Sequence, residues 1–188
     1  LGLTHTENLR EARKLTDPTL VSEVVQELKT RNDNARIEAK KVAKYAEKVT
    51  VSDSNSKFIG SEINERKKMG FLINSDYEDY FLQGSINNGL IQHQLHLSIK
   101  YTSDNWRNYY SASFSKENQV DITLISSSAV SCSGSSCDYT EVMELNLSDV
   151  FLRSNMETGF STVFNSIKST NKITIPSDYI KGYLKVAK

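Results

Sequence analysis

The stretch Leu95-His96-Leu97-Ser98-Ile99-Lys100-Tyr101 decides the fold: apolar and polar side chains alternate at every position, as in a strand with one buried and one solvated face. Working outward, Trp106, Asn108, Tyr110, Ala112 and Phe114 fall on one face of the next expected strand, with Arg107, Tyr109, Ser111 and Ser113 on the other. Val120, Ile122 and Leu124 continue the period, and Met143, Leu145 and Leu147 repeat it. The connections at 102–105 and 116–118 have hairpin length, and Asn87-Asn88-Gly89 is a turn signal. Neighbouring strands should therefore run antiparallel, as a meander. Ser148 can cap a short helix through Val150, Phe151 and Leu152, with Gly159 as a left-handed stop. A hairpin around Ser169-Thr170 follows, and Ser177 can cap a last helix that buries Tyr179, Ile180, Tyr183 and Leu184.

Upstream the character of the chain changes. Residues 1–70 carry 14 Lys/Arg against 11 Asp/Glu, and only two of the 17 aromatics, Tyr45 and Phe58, precede Phe71. Asp17-Pro18 reads as a helix start. Beyond it Val21, Val25, Leu28, Asn32, Ala35, Ala39 and Val42 recur at spacings of four and three, continued by Ala46 and Val49. That is a heptad seam, with Asn32 at a position where a polar residue can set register in a dimer. Some 31 helical residues would span roughly 46 Å, against a diameter of about 35 Å for the rest. An unbroken helix must bend, project or find a partner; one broken at Arg31-Asn32-Asp33-Asn34 could pack along its own domain. The expected organisation is a helical leader and polar linker over 1–57 and a mainly antiparallel β domain over 58–188, an α+β sheet or sandwich. Ser61 to Lys68 reads equally as helix or loop.

The 188 residues carry 23 basic and 23 acidic groups, so no global field draws the chain to nucleic acid. Apolar runs are a few residues long, too short for a membrane helix. Cys132 and Cys137 flank Ser-Gly-Ser-Ser between two expected strands. A disulfide there would close a ring of about six residues, worth on the order of 2 kcal/mol, and would imply an oxidising compartment. Zinc would need four ligands; two buried thiols are the other alternative. The start Leu1-Gly2-Leu3-Thr4 lacks methionine, as a processed product would.

Chemistry is sparse. His93 and His96 point to opposite faces of a strand and cannot share a metal ion; His93 reads as a hydrogen-bonded histidine at the sheet rim, and His5 lies near the terminus. Asp76, Glu78 and Asp79 lack the glycine and oxygen spacing of a calcium loop and read as a solvated turn. Ser133-Gly134-Ser135 is no nucleophile elbow, and no phosphate loop occurs. Lys40, Lys41, Lys44 and Lys48, interleaved with acids, form a solvated face. No catalytic residue, metal or cofactor is expected. Arg107 and Tyr109, placed outside by alternation, are the expected recognition surface, since Tyr and Arg suit protein or glycan contacts.

His93-Gln94-Leu95, Trp106-Arg107-Asn108-Tyr109, Val130-Ser131-Cys132, Tyr139-Thr140-Glu141, Leu152-Arg153, Gly159-Phe160, Ile175-Pro176 and Tyr179-Ile180-Lys181-Gly182-Tyr183-Leu184 resemble a set of uncharacterised bacterial cell-envelope proteins, many of them predicted lipoproteins. The resemblance covers about residues 80–188 and carries no active site. It implies an exported chain in the periplasm or at the outer membrane, held to a membrane only through a lipid anchor outside this sequence. The expected function is a non-enzymatic binding or scaffolding module whose partner is another envelope protein or a second copy, met through the leader helix. A small-molecule or glycan carrier, or a hydrolase with an unseen site, are the alternatives.

Overall fold

The computed structural model describes residues 18–52, 56–66, 76–114 and 119–187. Helix α1 (Pro18–Glu47) is continuous, so the break considered at Arg31–Asn34 does not occur. An Arg31–Glu27 ion pair one turn back and a Thr30 hydroxyl bond to the Gln26 carbonyl (3.0 Å) hold this stretch. Asn and Asp cost only about 0.6 kcal/mol each in a helix interior. Asp17, the expected cap, lies outside the described residues, as do Lys67, Lys68 and Phe71.

Strands β1 (Thr50–Val51), β2 (Lys57–Ile59), β3 (Ile63–Arg66), β4 (Tyr77–Asn87), β5 (Leu90–Ser103), β8 (Thr123–Ser133) and β9 (Ser136–Leu147) form the larger sheet, ordered β1-β2-β4-β5-β9-β8. Strand β3, where helix and loop competed in the sequence, pairs with Tyr77–Tyr80 of β4, while β2 pairs with Gln83–Ser85 on the same edge. The chain steps between them at Gly60, whose N–H donates to the Leu82 carbonyl (2.8 Å); a Cβ there would come 2.7 Å from the Tyr179 hydroxyl. Strands β1 and β2 pair antiparallel across the expected boundary at residue 57. The β4–β5 hairpin closes on Asn88 (φ 49°) and Gly89 (φ 76°), the two left-handed residues that a tight twisted turn requires.

The smaller sheet, ordered β11-β10-β6-β7, contains β6 (Ser111–Ser113), β7 (Gln119–Asp121), β10 (Phe160–Asn165) and β11 (Thr170–Ile175). Every pairing in both sheets is antiparallel. The α+β class stands as expected, with two departures from the meander. Strand β5 already has β4 and β9 on its two edges, so 102–105 is no hairpin; the chain leaves the sheet through the irregular segment 104–110 and enters the second sheet at β6. Ile122 is likewise the crossing back, between β7 and β8.

Alternation positions the core. Tyr80 and Leu82 of β4, Leu95, Leu97 and Ile99 of β5, and Met143 and Leu145 of β9 are buried on one face of the larger sheet. Helix α3 (Ser177–Val186) lies over that face with Tyr179, Ile180, Tyr183 and Leu184 buried, as the sequence predicted. Its expected Ser177 cap is absent: Ser177 is already helical, and Pro176 precedes it without a side-chain bond. The Tyr179 hydroxyl donates to the Ser61 carbonyl (2.8 Å) and accepts the Leu82 N–H (3.0 Å). Helix α2 (Asp149–Ser154) is capped by Ser148, whose hydroxyl accepts the Phe151 N–H at 3.0 Å. Gly159 is left-handed (φ 72°) and stops the following turn. The Phe151 ring of α2 packs with the rings of Phe114 and Phe160.

Candidate functional site

The crossover 104–110 holds the residues singled out for recognition, in an inverted arrangement. Asn108 is left-handed (φ 54°), which breaks the phase of alternation. Tyr109 turns inward (5% exposed) and Tyr110 outward (56% exposed). The expectation that Arg107 and Tyr109 form an outer surface is therefore corrected.

Arg107 and Tyr109 do meet, with Arg107 Nη1 donating to the Tyr109 hydroxyl at 3.1 Å, inside a polar cluster between the two sheets. The guanidinium lies 4.2 Å from the centre of the Tyr101 ring and forks onto Asp76 at 2.6 and 2.8 Å. Burial works against its charge, but the Asp76 and Tyr109 bonds outweigh burial and raise its pKa above the ordinary value. Asn171 of β11 donates to Asp76 (3.0 Å) and Glu78 (2.7 Å) and accepts the Tyr109 hydroxyl. The buried Glu141 carboxylate of β9 accepts the Tyr101 hydroxyl and the backbone N–H groups of Asn108 (3.2 Å) and Tyr109 (3.3 Å). The left-handed turn at Asn108 aims both amides at this one carboxylate.

Asp76, Glu78 and Asp79 are thus no solvated turn. Glu78 and Asp79 are buried on β4, and Asp79 bonds Asn64 (2.6 Å) and Lys100 (3.0 Å) on the opposite face of the sheet. The signal available was parity: Glu78 shares a face with Tyr80 and Leu82. Chemically the cluster fastens the crossover to both sheets, since its carboxylates are committed to an arginine, an amide, a phenol and backbone N–H groups.

His93 is buried, as its place on the apolar side predicted. Its Nδ1 lies 2.9 Å from the Tyr183 hydroxyl and its Nε2 3.2 Å from Asp149. Burial lowers its pKa, opposed by the Asp149 bond. Arg153 first, and His93 after it, hold the Asp149 carboxyl below its usual range. Tyr183 is fully buried, so the far end of this relay meets no solvent. His96 faces the other side, 3.2 Å from Glu144 and stacked on Phe81. His5 lies outside the described residues. Among the described residues no group of three or more His, Cys, Asp or Glu is placed to hold a metal ion.

The outward Tyr110 borders an open groove of about 620 Å³ on the smaller sheet, lined also by Ser113, Gln119, Ser161, Asn165 and Lys172. Cys132 and Cys137 form a disulfide at the tip of the β8–β9 hairpin. The seam residues are divided. Val42, with Ala46, is half-buried where α1 crosses α3 at Gly182; Asn32, Ala35 and Ala39 are exposed; Val21, Val25 and Leu28 are half-buried on the preceding turns. Sequence periodicity did not single out Val24, which shares that stripe. No family model matches this chain, and no curated protein or solved structure matches it either.

Proposed function

We propose that the protein is a non-enzymatic binding or scaffolding module of the bacterial cell envelope, exported to the periplasm or outer-membrane surface, with α1 as its association arm. The observation that carries this reading is the division of α1. At 1.5 Å per residue its 30 residues extend about 45 Å, and among the described residues the contacts with α3 lie in its second half. There Gly182 admits Val42, Tyr45 and Ala46, Lys181 bonds Glu38 (2.6 Å), and Lys41 approaches Asp178 (4.0 Å). The first half carries Val21, Val24, Val25 and Leu28 at helical spacing, the pattern a partner helix takes up. The disulfide supports an oxidising location.

Light scattering on the whole chain and on a Val25→Asp/Leu28→Asp variant tests the arm. The reading expects a multiple of the chain mass that falls by half in the variant; an identical mass in both sinks it. A second reading, a glycan or small-molecule carrier, is favoured by the groove beside Tyr110, because an exposed ring flanked by amides and hydroxyls suits sugar faces. Calorimetric titration with oligosaccharides, lost in Tyr110→Ala, would support it; heats equal to dilution would dismiss it.

A further inference from the structure

The face of the larger sheet turned away from α3 carries a second polar network. Strand register places Gln83 of β4, Gln94 of β5 and Asn146 of β9 in one row, with Phe81, His96 and Glu144 in the next. The polar side chains of these rows are bonded into a single array. Gln83 Nε2 donates to Gln94 Oε1 (3.1 Å) and to Glu144 Oε1 (2.8 Å), and Gln94 Nε2 donates to Asn146 Oδ1 (3.0 Å). His96 Nδ1 lies 3.2 Å from the same Glu144 oxygen, and its ring stacks on Phe81 with centres 4.5 Å apart. Beside the array Lys57, Ile59, Gln83, Ser85 and Gln94 line a concavity of about 330 Å³. Three of the chain's five glutamines, Gln83, Gln92 and Gln94, stand on this face.

The groups this array leaves open define what it can take. Gln83 commits both amide N–H groups, so its carbonyl oxygen remains; Gln94 keeps one N–H, Asn146 keeps two, and Glu144 keeps Oε2. Donors and acceptors therefore stand side by side, each amide oriented by its neighbour, so little rotamer freedom is lost on binding. Adjacent strands lie about 4.8 Å apart, and like-facing residues about 6.8 Å apart along a strand, which gives the array the footprint of one or two sugar rings. A vicinal hydroxyl pair donates and accepts at neighbouring atoms, as this array requires, and the exposed Ile59 borders it with apolar surface for sugar C–H groups. A phosphate would meet the Glu144 carboxylate where it needs a cation. An extended peptide pairs through an open strand edge, and β4, β5 and β9 are each paired on both sides. We propose that this face binds a neutral saccharide, with hydroxyls bridging Gln83, Gln94, Glu144 and Asn146. The site lies on the other sheet from the groove beside Tyr110 and depends neither on that groove nor on α1.

The test is an NMR titration of the full chain, disulfide intact, with cellotetraose and with chitotetraose as neutral probes. Saturable shifts of the Gln94 and Asn146 side-chain NH2 signals, with a Kd below about 10 mM, are expected. Gln94→Ala/Asn146→Ala should raise that Kd about tenfold, whereas Tyr110→Ala should leave it within about twofold. Glu144→Gln keeps the shape of the array but removes its charged acceptor, and should weaken binding about threefold. Backbone amide spectra that match away from the substituted face show that the variants are folded. No shift with either probe overturns the proposal and leaves the face to a protein partner. Shifts abolished by Tyr110→Ala and untouched by Gln94→Ala/Asn146→Ala overturn it in favour of the groove on the smaller sheet.

Discussion

Gly182 shows how much of this molecule rests on a single absent side chain. A Cβ there would lie 2.5 Å from that of Tyr45, 2.8 Å from the Val42 carbonyl and 3.0 Å from the Ala46 amide, so the α1 backbone itself would have to move. Gly182→Ala should cost about 1–3 kcal/mol of stability, a fall in Tm of roughly 2–4 °C per kcal/mol for a chain of this size; an unchanged melting curve would contradict so close a crossing. His93 contributes a pH dependence to stability near neutrality. Its pKa is lowered in the fold by burial beside Tyr183, so the unfolded chain takes up protons first as pH falls. The stability it contributes is complete above the unfolded value of about 6.5 and is lost as pH drops from there through the lower folded value. Denaturant unfolding at pH 7.5 and pH 5 should show this loss, and His93→Gln should flatten it while lowering stability at pH 7.5. Parallel losses in both proteins would assign the effect elsewhere. The same residue scale explains why the recognition pair was misplaced. Alternation treats residues 106–114 as one strand, and only the left-handed backbone of Asn108, invisible in a periodicity, exchanges the sides of Tyr109 and Tyr110.

At the scale of elements, legibility follows local chemistry. The Asn88-Gly89 turn, the Ser148 cap, the hairpin of β10 and β11, the apolar face of α3 and the Cys132–Cys137 bridge were all readable, because each is encoded within a few residues. Strand order was not. Hairpin-length connections suggested sequential neighbours, whereas β9 inserts between β5 and β8, and the chain changes sheets at 104–110 and at Ile122. These choices depend on which edges are already filled, a long-range property. The polar cluster belongs to the same class: Asp76, Arg107, Glu141 and Asn171 are scattered over 96 residues of sequence and meet only after both crossovers are made. The heptad seam was legible as a period but not in its division of labour, since packing of Val42 and Ala46 on α3 is decided by Gly182, 140 residues away.

At the scale of the whole molecule, two sheets, an inter-sheet polar fastening and α3 account for the body, and α1 extends beyond what they cover. We propose the first half of α1 as an interaction arm. The native mass of the whole chain by light scattering, beside that of Val25→Asp/Leu28→Asp, tests it most directly. An assembly whose mass halves when the two apolar residues become acidic is expected; equal masses for both proteins would contradict an arm.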